Sequence, residues 1–342
     1  MQPDETVDAI EFFYEQGWTD GLPVVPPTVE RVRAMIERSG RAASEVIAEL
    51  PPRGGKATVE KIATNAVMAG CLPEYMPVIL TALEALMDPR FNLNGVLCST
   101  HMATPLLILN GPIVKELQVN CGHNLFGPGW RANATIGRAV QLILVNIGGA
   151  IPGVVDKATF GHPGKYTYCI AENEAANPWE PLHVSRGFQA DDSTVTVYAA
   201  EAPHNVNNHG SDNARDLLTV IADCLSTLGS NHLYVGGECF LILSPEHAAT
   251  IAASGWKKRD VQAFLYEHAR QPVRLLRLGG MYGADTQRNL WPRWVDHHNP
   301  DALVPPTRHP EDIVVLVAGG AGKHSVVLPG WGSRSVTRKI VS

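Results

Sequence analysis

The chain has 342 residues, of which 45 % are apolar and 18 % charged, with a formal net charge of −6. That balance describes an ordered globular protein, large enough for one big domain or two closely fused halves. Its slight acidity argues against nucleic acid as the main partner, because phosphate binding needs a basic face. No run approaches the ~18 apolar residues of a membrane span. The acidic start Met1-Gln2-Pro3-Asp4-Glu5 has no apolar signal core, and six cysteines without a C-x-x-C pair read as reduced thiols. The expectation is a cytoplasmic protein without a membrane or nucleic-acid partner.

Helical spacing of Val7, Ile10, Phe13 and Tyr14 predicts a helix over 4–16. The segment Gly17-Trp18-Thr19-Asp20-Gly21-Leu22-Pro23-Val24-Val25-Pro26-Pro27-Thr28 is a proline-stiffened extended arm. Helices are expected over 29–39, 59–69 and 74–87, with a loop at 41–56 that contains Pro51-Pro52-Arg53-Gly54-Gly55-Lys56. Strands follow near 93–99 and 105–110, then helices over 111–118 and 132–147. The first half closes with a loop at 151–164 and a strand at 165–171. After a polar connector come a strand at 194–200, a His/Asn-rich loop at 203–212 and a helix over 213–228. Strands near 232–243 and helices over 246–254 and 257–269 follow, with Ser244-Pro245-Glu246 as a strong helix start. Residues 271–311 form an insertion that carries Trp291, Trp294, His297 and His298. The chain ends as strand, glycine loop, strand and a basic tail around Arg334 and Arg338.

Three matches recur in the same order. Leu107-Ile108-Leu109-Asn110 pairs with Leu241-Ile242-Leu243-Ser244, Gly129-Trp130-Arg131 with Gly255-Trp256-Lys257, and Gly161-His162-Pro163-Gly164-Lys165 with Gly319-Gly320-Ala321-Gly322-Lys323. They predict a duplicated α/β unit. The fold class is therefore α/β, with two pseudo-repeated lobes of mixed sheets flanked by helices. The predicted divisions are an N-terminal arm with helices at 1–57, a first lobe at 58–200 and a second at 201–342.

The glycine–lysine loops can gather backbone N–H groups around an anion and add a compact positive charge. Neither is a Walker A loop, because strand rather than helix is expected to follow. His324-Ser325 follows Lys323. On a strand, Lys165 and Cys169 would share a face, where the ammonium could activate the thiol. The segment Asn120 to Arg138 is a glycine-rich loop entering a helix, with Cys121 and His123 as a nucleophile–base pair, Asn133 beside them, and Arg131 and Arg138 on one helix face. Glu172-Asn173-Glu174 offers paired carboxylates for acid/base work. Glu201, His204 and His209 have the residue types of a divalent-metal site but sit in an expected loop rather than on one helix face.

The arm Gly17–Thr28, the segment Gly127–Arg138 and Gly164-Lys165-Tyr166 resemble a family of bacterial proteins known mostly from genome and metagenome sequences. That resemblance spans nearly the whole chain and implies no particular catalytic residues. A looser likeness, of organisation alone, is to enzymes of the cyanuric acid hydrolase and barbiturase type, which repeat one α/β unit and send a lysine from each repeat to a central site. Here two units are counted rather than three, and no serine–lysine motif matches.

These readings converge on an enzyme of hydrolase or lyase type for a small anionic or carbonyl-bearing metabolite, held in a cleft between the lobes. Lys165, Lys323, His324, Glu172, Cys121, His123 and Cys169 are the catalytic candidates. Arg131, Arg138, Gly164, Gly322 and Asn133 are expected to bind substrate. No cofactor is required. A divalent metal on Glu201, His204 and His209 is the alternative, and a non-catalytic subunit docking through the arm and the Trp-rich insertion is another. A homo-oligomer or a partner subunit is expected.

Overall fold

The computed structural model describes residues 3–279, 291 and 294–341, so residues 280–290 and 292–293 of the expected insertion lie outside it. Among the described residues there are twelve strands: β1 (Val46–Leu50), β2 (Gly55–Thr58), β3 (Thr104–Asn110), β4 (Cys169–Ala171), β5 (Thr194–Ala200), β6 (His204–Asn207), β7 (Cys239–Leu243), β8 (Gln271–Pro272), β9 (Leu303–Val304), β10 (Ile313–Val317), β11 (His324–Leu328) and β12 (Val336–Lys339). The helices in chain order are α1 (Pro3–Glu15), α2 (Val29–Ser39), α3 (Val59–Ala69), α4 (Met76–Leu86), α5 (Leu93–Leu97), α6 (Ile113–Glu116), α7 (Arg131–Asn146), α8 (Leu182–Ser185), α9 (Ala214–Leu225), α10 (His232–Val235), α11 (Pro245–Ala253), α12 (Lys258–His268) and α13 (Val273–Leu276).

The fold is α/β and arranged in four layers. One sheet runs β4-β3-β5-β12 and the other β10-β7-β11-β6. Alternate residues of each strand serve opposite faces. Leu106 and Ile108 of β3 meet Phe240 and Ile242 of β7 and Leu316 of β10 in a core between the sheets. Leu107 and Leu109 point outward to Ile62 of α3, Leu83 of α4 and Val140 of α7. Leu241 and Leu243 point outward to Ile221 of α9, Ile251 of α11 and Val261 of α12. Strands buried on both faces read as unbroken apolar runs, as in Cys239-Phe240-Leu241-Ile242-Leu243.

The central strands of the two sheets are paired alike. Leu107, Ile108 and Leu109 lie parallel to Cys169, Ile170 and Ala171, as Leu241, Ile242 and Leu243 lie parallel to Val315, Leu316 and Val317. On the other side Ile108 opposes Thr196 as Ile242 opposes Val326, both antiparallel. The fourth strands are exchanged. β6 follows β5 in the chain but pairs with β11 of the second sheet, and β12 follows β11 but pairs with β5 of the first. The two crossings run side by side, joined by an Ala200–Gly330 bridge and by the Glu201 N–H on the Pro329 carbonyl at 3.0 Å. A Cβ on Gly330 would stand 2.4 Å from the Tyr198 hydroxyl, so only glycine fits this crossing.

Several expectations are corrected. The segment near 93–99 is the helix α5, started by Asn92, whose side chain accepts from the Gly95 N–H. The loop at 41–56 holds β1 and the start of β2, which form an antiparallel hairpin. The loop at 203–212 holds β6, and the basic tail holds β12. Residues 232–235 are helix, and Pro163–Lys165 is a short 3-10 turn rather than the start of a strand. The glycine–lysine loops are not equivalent. Lys165 precedes β4, whereas Lys323 precedes β11, the counterpart of β5.

Candidate active site

The arm at residues 17–28 does not project. The Asn146 side chain donates to the Trp18 carbonyl at 3.1 Å, the Val25 N–H donates to the Met68 carbonyl at 3.0 Å, and Arg138 of α7 holds Asp20. Thus placed, Thr19 and Asp20 form one wall of a cavity of about 520 Å³. Gln141 and Leu144 of α7 and Thr104 of β3 form its floor. The loop after α7, which carries Asp156, Phe160 and Lys165, forms the opposite wall. A largely apolar cavity with a few convergent polar groups is the usual form of a small-molecule site.

The loop is built by short-range bonds. The Val155 and Asp156 N–H groups both donate to the Ile151 carbonyl, and the Thr159 N–H reaches the Thr100 carbonyl at 2.9 Å. Asp156 accepts from the Ala158 N–H through Oδ1 and from Lys165 Nζ through Oδ2, at 3.0 and 2.5 Å. The lysine is thereby fixed at the cavity wall as a charged donor, with both partners mostly shielded from solvent. His162 stands behind it. Its Nδ1 accepts from the Gly164 N–H at 3.1 Å, which leaves the ring proton on Nε2. Nε2 faces the Ala200 carbonyl without closing a hydrogen bond. Burial lowers the pKa of this imidazole, and the Lys165 charge adds to the effect. Its ring lies edge-on to Tyr168 at 5.5 Å.

The other expected residues are dispersed. Arg131 donates twice to the Gly70 carbonyl, at 3.0 and 2.9 Å, which closes the end of α3. Asn133 joins the Asn120 backbone to the Cys169 carbonyl inside the core. Cys169 is buried, and burial drives its thiol well above the usual range, so Lys165 does not activate it. Cys121 is half-buried and also raised. The Glu172 carboxylate is almost fully buried and accepts from Asn110, Asn177 and the Leu182 N–H at 2.6 to 2.9 Å. It ties together the loop between β4 and β5, and burial raises its pKa.

A second cavity of about 230 Å³ lies at the other glycine loop, lined by His123, Gly319 to Gly322, His324 and Ser325. Lys323 does not line it, and Nζ donates to the His209 carbonyl at 3.3 Å. The two lysines therefore do not share a cleft. One pair here was missed in the sequence. Ser325 Oγ is 2.7 Å from His247 Nδ1, and His247 Nε2 is 3.0 Å from the Asn208 carbonyl. The carbonyl accepts only if Nε2 carries the proton, so Nδ1 is free to accept from the serine. Ser325 stands beside His324 in the chain, but nothing local announces a partner on α11.

The expected metal ligands do not converge. Glu201 bonds His101 Nε2 at 2.8 Å, His209 meets His324 at 3.2 Å, and His204 is exposed on β6. Among the described residues no three His, Cys, Asp or Glu side chains gather as a metal site. Among the described residues no helix is long and apolar enough to cross a membrane. Trp291 and Trp294 pack against the cluster formed by α10 and α13, with Trp291 stacked on His297.

No family model, no curated protein and no solved structure matches this chain.

Proposed function

We propose that the protein is an enzyme of lyase or hydrolase type for a small carbonyl- or carboxylate-bearing metabolite, bound in the cavity between the arm, α7 and the loop 151–166. The observation that carries this is the Lys165–Asp156 pair at 2.5 Å on the wall of the largely apolar 520 Å³ cavity. A fixed ammonium in a poorly hydrated site polarises a substrate carbonyl more strongly than it would in water. Asp156, next to it, is placed to take a proton from the carbon or the water that the polarised group activates. The apolar lining holds the rest of the substrate.

The test is turnover of a panel of small carboxylates, keto acids and cyclic amides by wild type, Lys165→Met, Asp156→Asn and the double variant. The double variant removes both charges together and so leaves none unpaired. It should melt close to wild type while turnover falls by about a thousandfold or more, the range for loss of an electrostatic catalyst. Full turnover in the double variant removes this cavity from the mechanism.

A second reading rests on the Ser325–His247 contact. A serine hydroxyl on an imidazole of fixed tautomer, beside a glycine loop, has the parts for acyl transfer. Under that reading Ser325→Ala abolishes turnover and Lys165→Met does not.

A further inference from the structure

A third cavity, of about 550 Å³, lies among α8, α12, β10 and β12 and shares no residue with the two above. Its lining is strongly charged, and the charges are unevenly paired. Arg90 is held by Asp88 through two bonds, at 2.9 and 2.8 Å. Arg334 is paired to Asp312. Glu238 is occupied by the Ser335 N–H at 2.7 Å and by the Ser335 hydroxyl.

Among the described residues, two cations have no carboxylate oxygen closer than 4.0 Å. Arg186 spends its bonds on neutral hydroxyls, Thr337 Oγ1 at 2.8 Å and Ser335 Oγ at 2.6 Å, with the nearest carboxylate oxygen, from Glu238, only at 4.0 Å. Lys258 donates to the Glu180 carbonyl at 2.6 Å and, among the described residues, forms no ion pair. Both side chains are largely withdrawn from water, and burial holds both below their ordinary pKa values, outweighing Glu238 at the arginine and Glu172 with Glu180 at the lysine. Lys258 and Arg259 also occupy the first turn of α12, where the helix dipole disfavours positive charge. Two partly buried cations that line one cavity without a close carboxylate partner are groups that a bound anion would complete.

We propose that this cavity binds a small oxyanion, the phosphate or carboxylate group of a metabolite, between Arg186 and Lys258. The arginine supplies a planar fork and the lysine a point charge. Ser335 and Thr337 hold the fork in place. Glu238, 4.0 Å from Arg186, and Asp312, paired to Arg334, line the same cavity and set a limit on how much negative charge the site accepts. The proposal is independent of the reaction proposed above and stands or falls separately.

The experiment is titration calorimetry of the full chain with inorganic phosphate and, separately, succinate, at constant ionic strength maintained with chloride. Melting curves are recorded in the same buffers. Wild type should bind one of the two with one-to-one stoichiometry, and which one distinguishes a phosphoryl from a carboxylate ligand. Arg186→Gln and Lys258→Met should each weaken binding by about tenfold or more, as expected for loss of a charged hydrogen bond. Whichever anion binds should raise the melting temperature of wild type and not that of Lys258→Met, a loss that a merely structural lysine would not cause. The proposal is overturned if wild type binds neither anion, or if binding persists in both variants. It is equally overturned if Lys258→Met lowers the melting point and leaves the anion response unchanged.

Discussion

Arg138 grips Asp20 through two parallel bonds, Nε to Oδ2 and Nη2 to Oδ1, each 2.8 Å long. The same guanidinium also reaches the Pro23 carbonyl at 3.0 Å. This side chain of α7 thus ties Asp20 and Pro23 of the proline-rich arm in place, and with them one wall of the candidate active site. Both partners are mostly buried, so removing one leaves a charge with little solvent to turn to. Arg138→Met and Asp20→Asn should each cost about 3 kcal/mol in urea unfolding. The double variant should cost clearly less than the sum. Strict additivity would mean the pair is not coupled.

Gly164 is held in place by what surrounds it. A Cβ there would stand 2.5 Å from His162 Cε1 and 2.8 Å from Tyr168 Cδ1. Gly164→Ala must therefore push the imidazole off its Gly164 N–H bond or shift the ring of Tyr168. A loss of about 1–3 kcal/mol is expected from overpacking, with loss of substrate turnover because Lys165 is the next residue. A variant that melts and turns over like wild type would show that the turn has slack that the structure does not reveal.

Tyr198 of β5 places its hydroxyl 3.0 Å from both the Glu238 and Leu328 carbonyls, which belong to the second half. Tyr198→Phe keeps the ring and its packing on Phe240 but removes the single hydroxyl proton that the two carbonyls share. The cost should be about 1–2 kcal/mol. An unchanged urea midpoint would imply that water replaces the hydroxyl.

His232 is buried, with Nε2 2.8 Å from the Leu225 carbonyl and Nδ1 3.1 Å from Ser230 Oγ. Both ring nitrogens are satisfied in the neutral form, and burial lowers its pKa to about 4 from an ordinary 6.5. Between those values the unfolded chain binds a proton that the folded chain refuses. Stability from this group is therefore complete above pH 6.5 and is lost as pH falls toward 4, by up to about 3 kcal/mol. Unfolding free energies at pH 7 and 4.5 should differ less in His232→Asn than in wild type. Equal differences would remove His232 as a source of acid sensitivity.

The sequence was most legible where a segment's own pattern decides its state. The cap at Ser244 and the helix expected over 257–269 are local, and both elements stand where expected. β6 and β12 were not legible. His204-Asn205-Val206-Asn207 buries only Val206 and is a strand solely because β11 lies beside it. The arginines teach the same lesson. Their place on α7 follows from spacing, but their partners, Gly70 and Asp20, come from distant segments, and a sequence without those contacts in view invites a ligand in their stead. Likewise the two glycine–lysine loops match in letters but not in topology. Composition marks a turn without saying which strand it serves.

The exchanged strands make the chain a fused counterpart of a swapped dimer. With the halves divided after β6, each lends its last strand to the other, so neither can finish its sheet from its own residues. Cut between β6 and α9, the two fragments should be poorly folded alone, each with an open strand edge prone to wrong pairing. Mixed, they should clasp each other and restore one cooperative unfolding transition. Pulled apart end to end, the protein would yield as one object, because releasing either half requires tearing a strand from its neighbour.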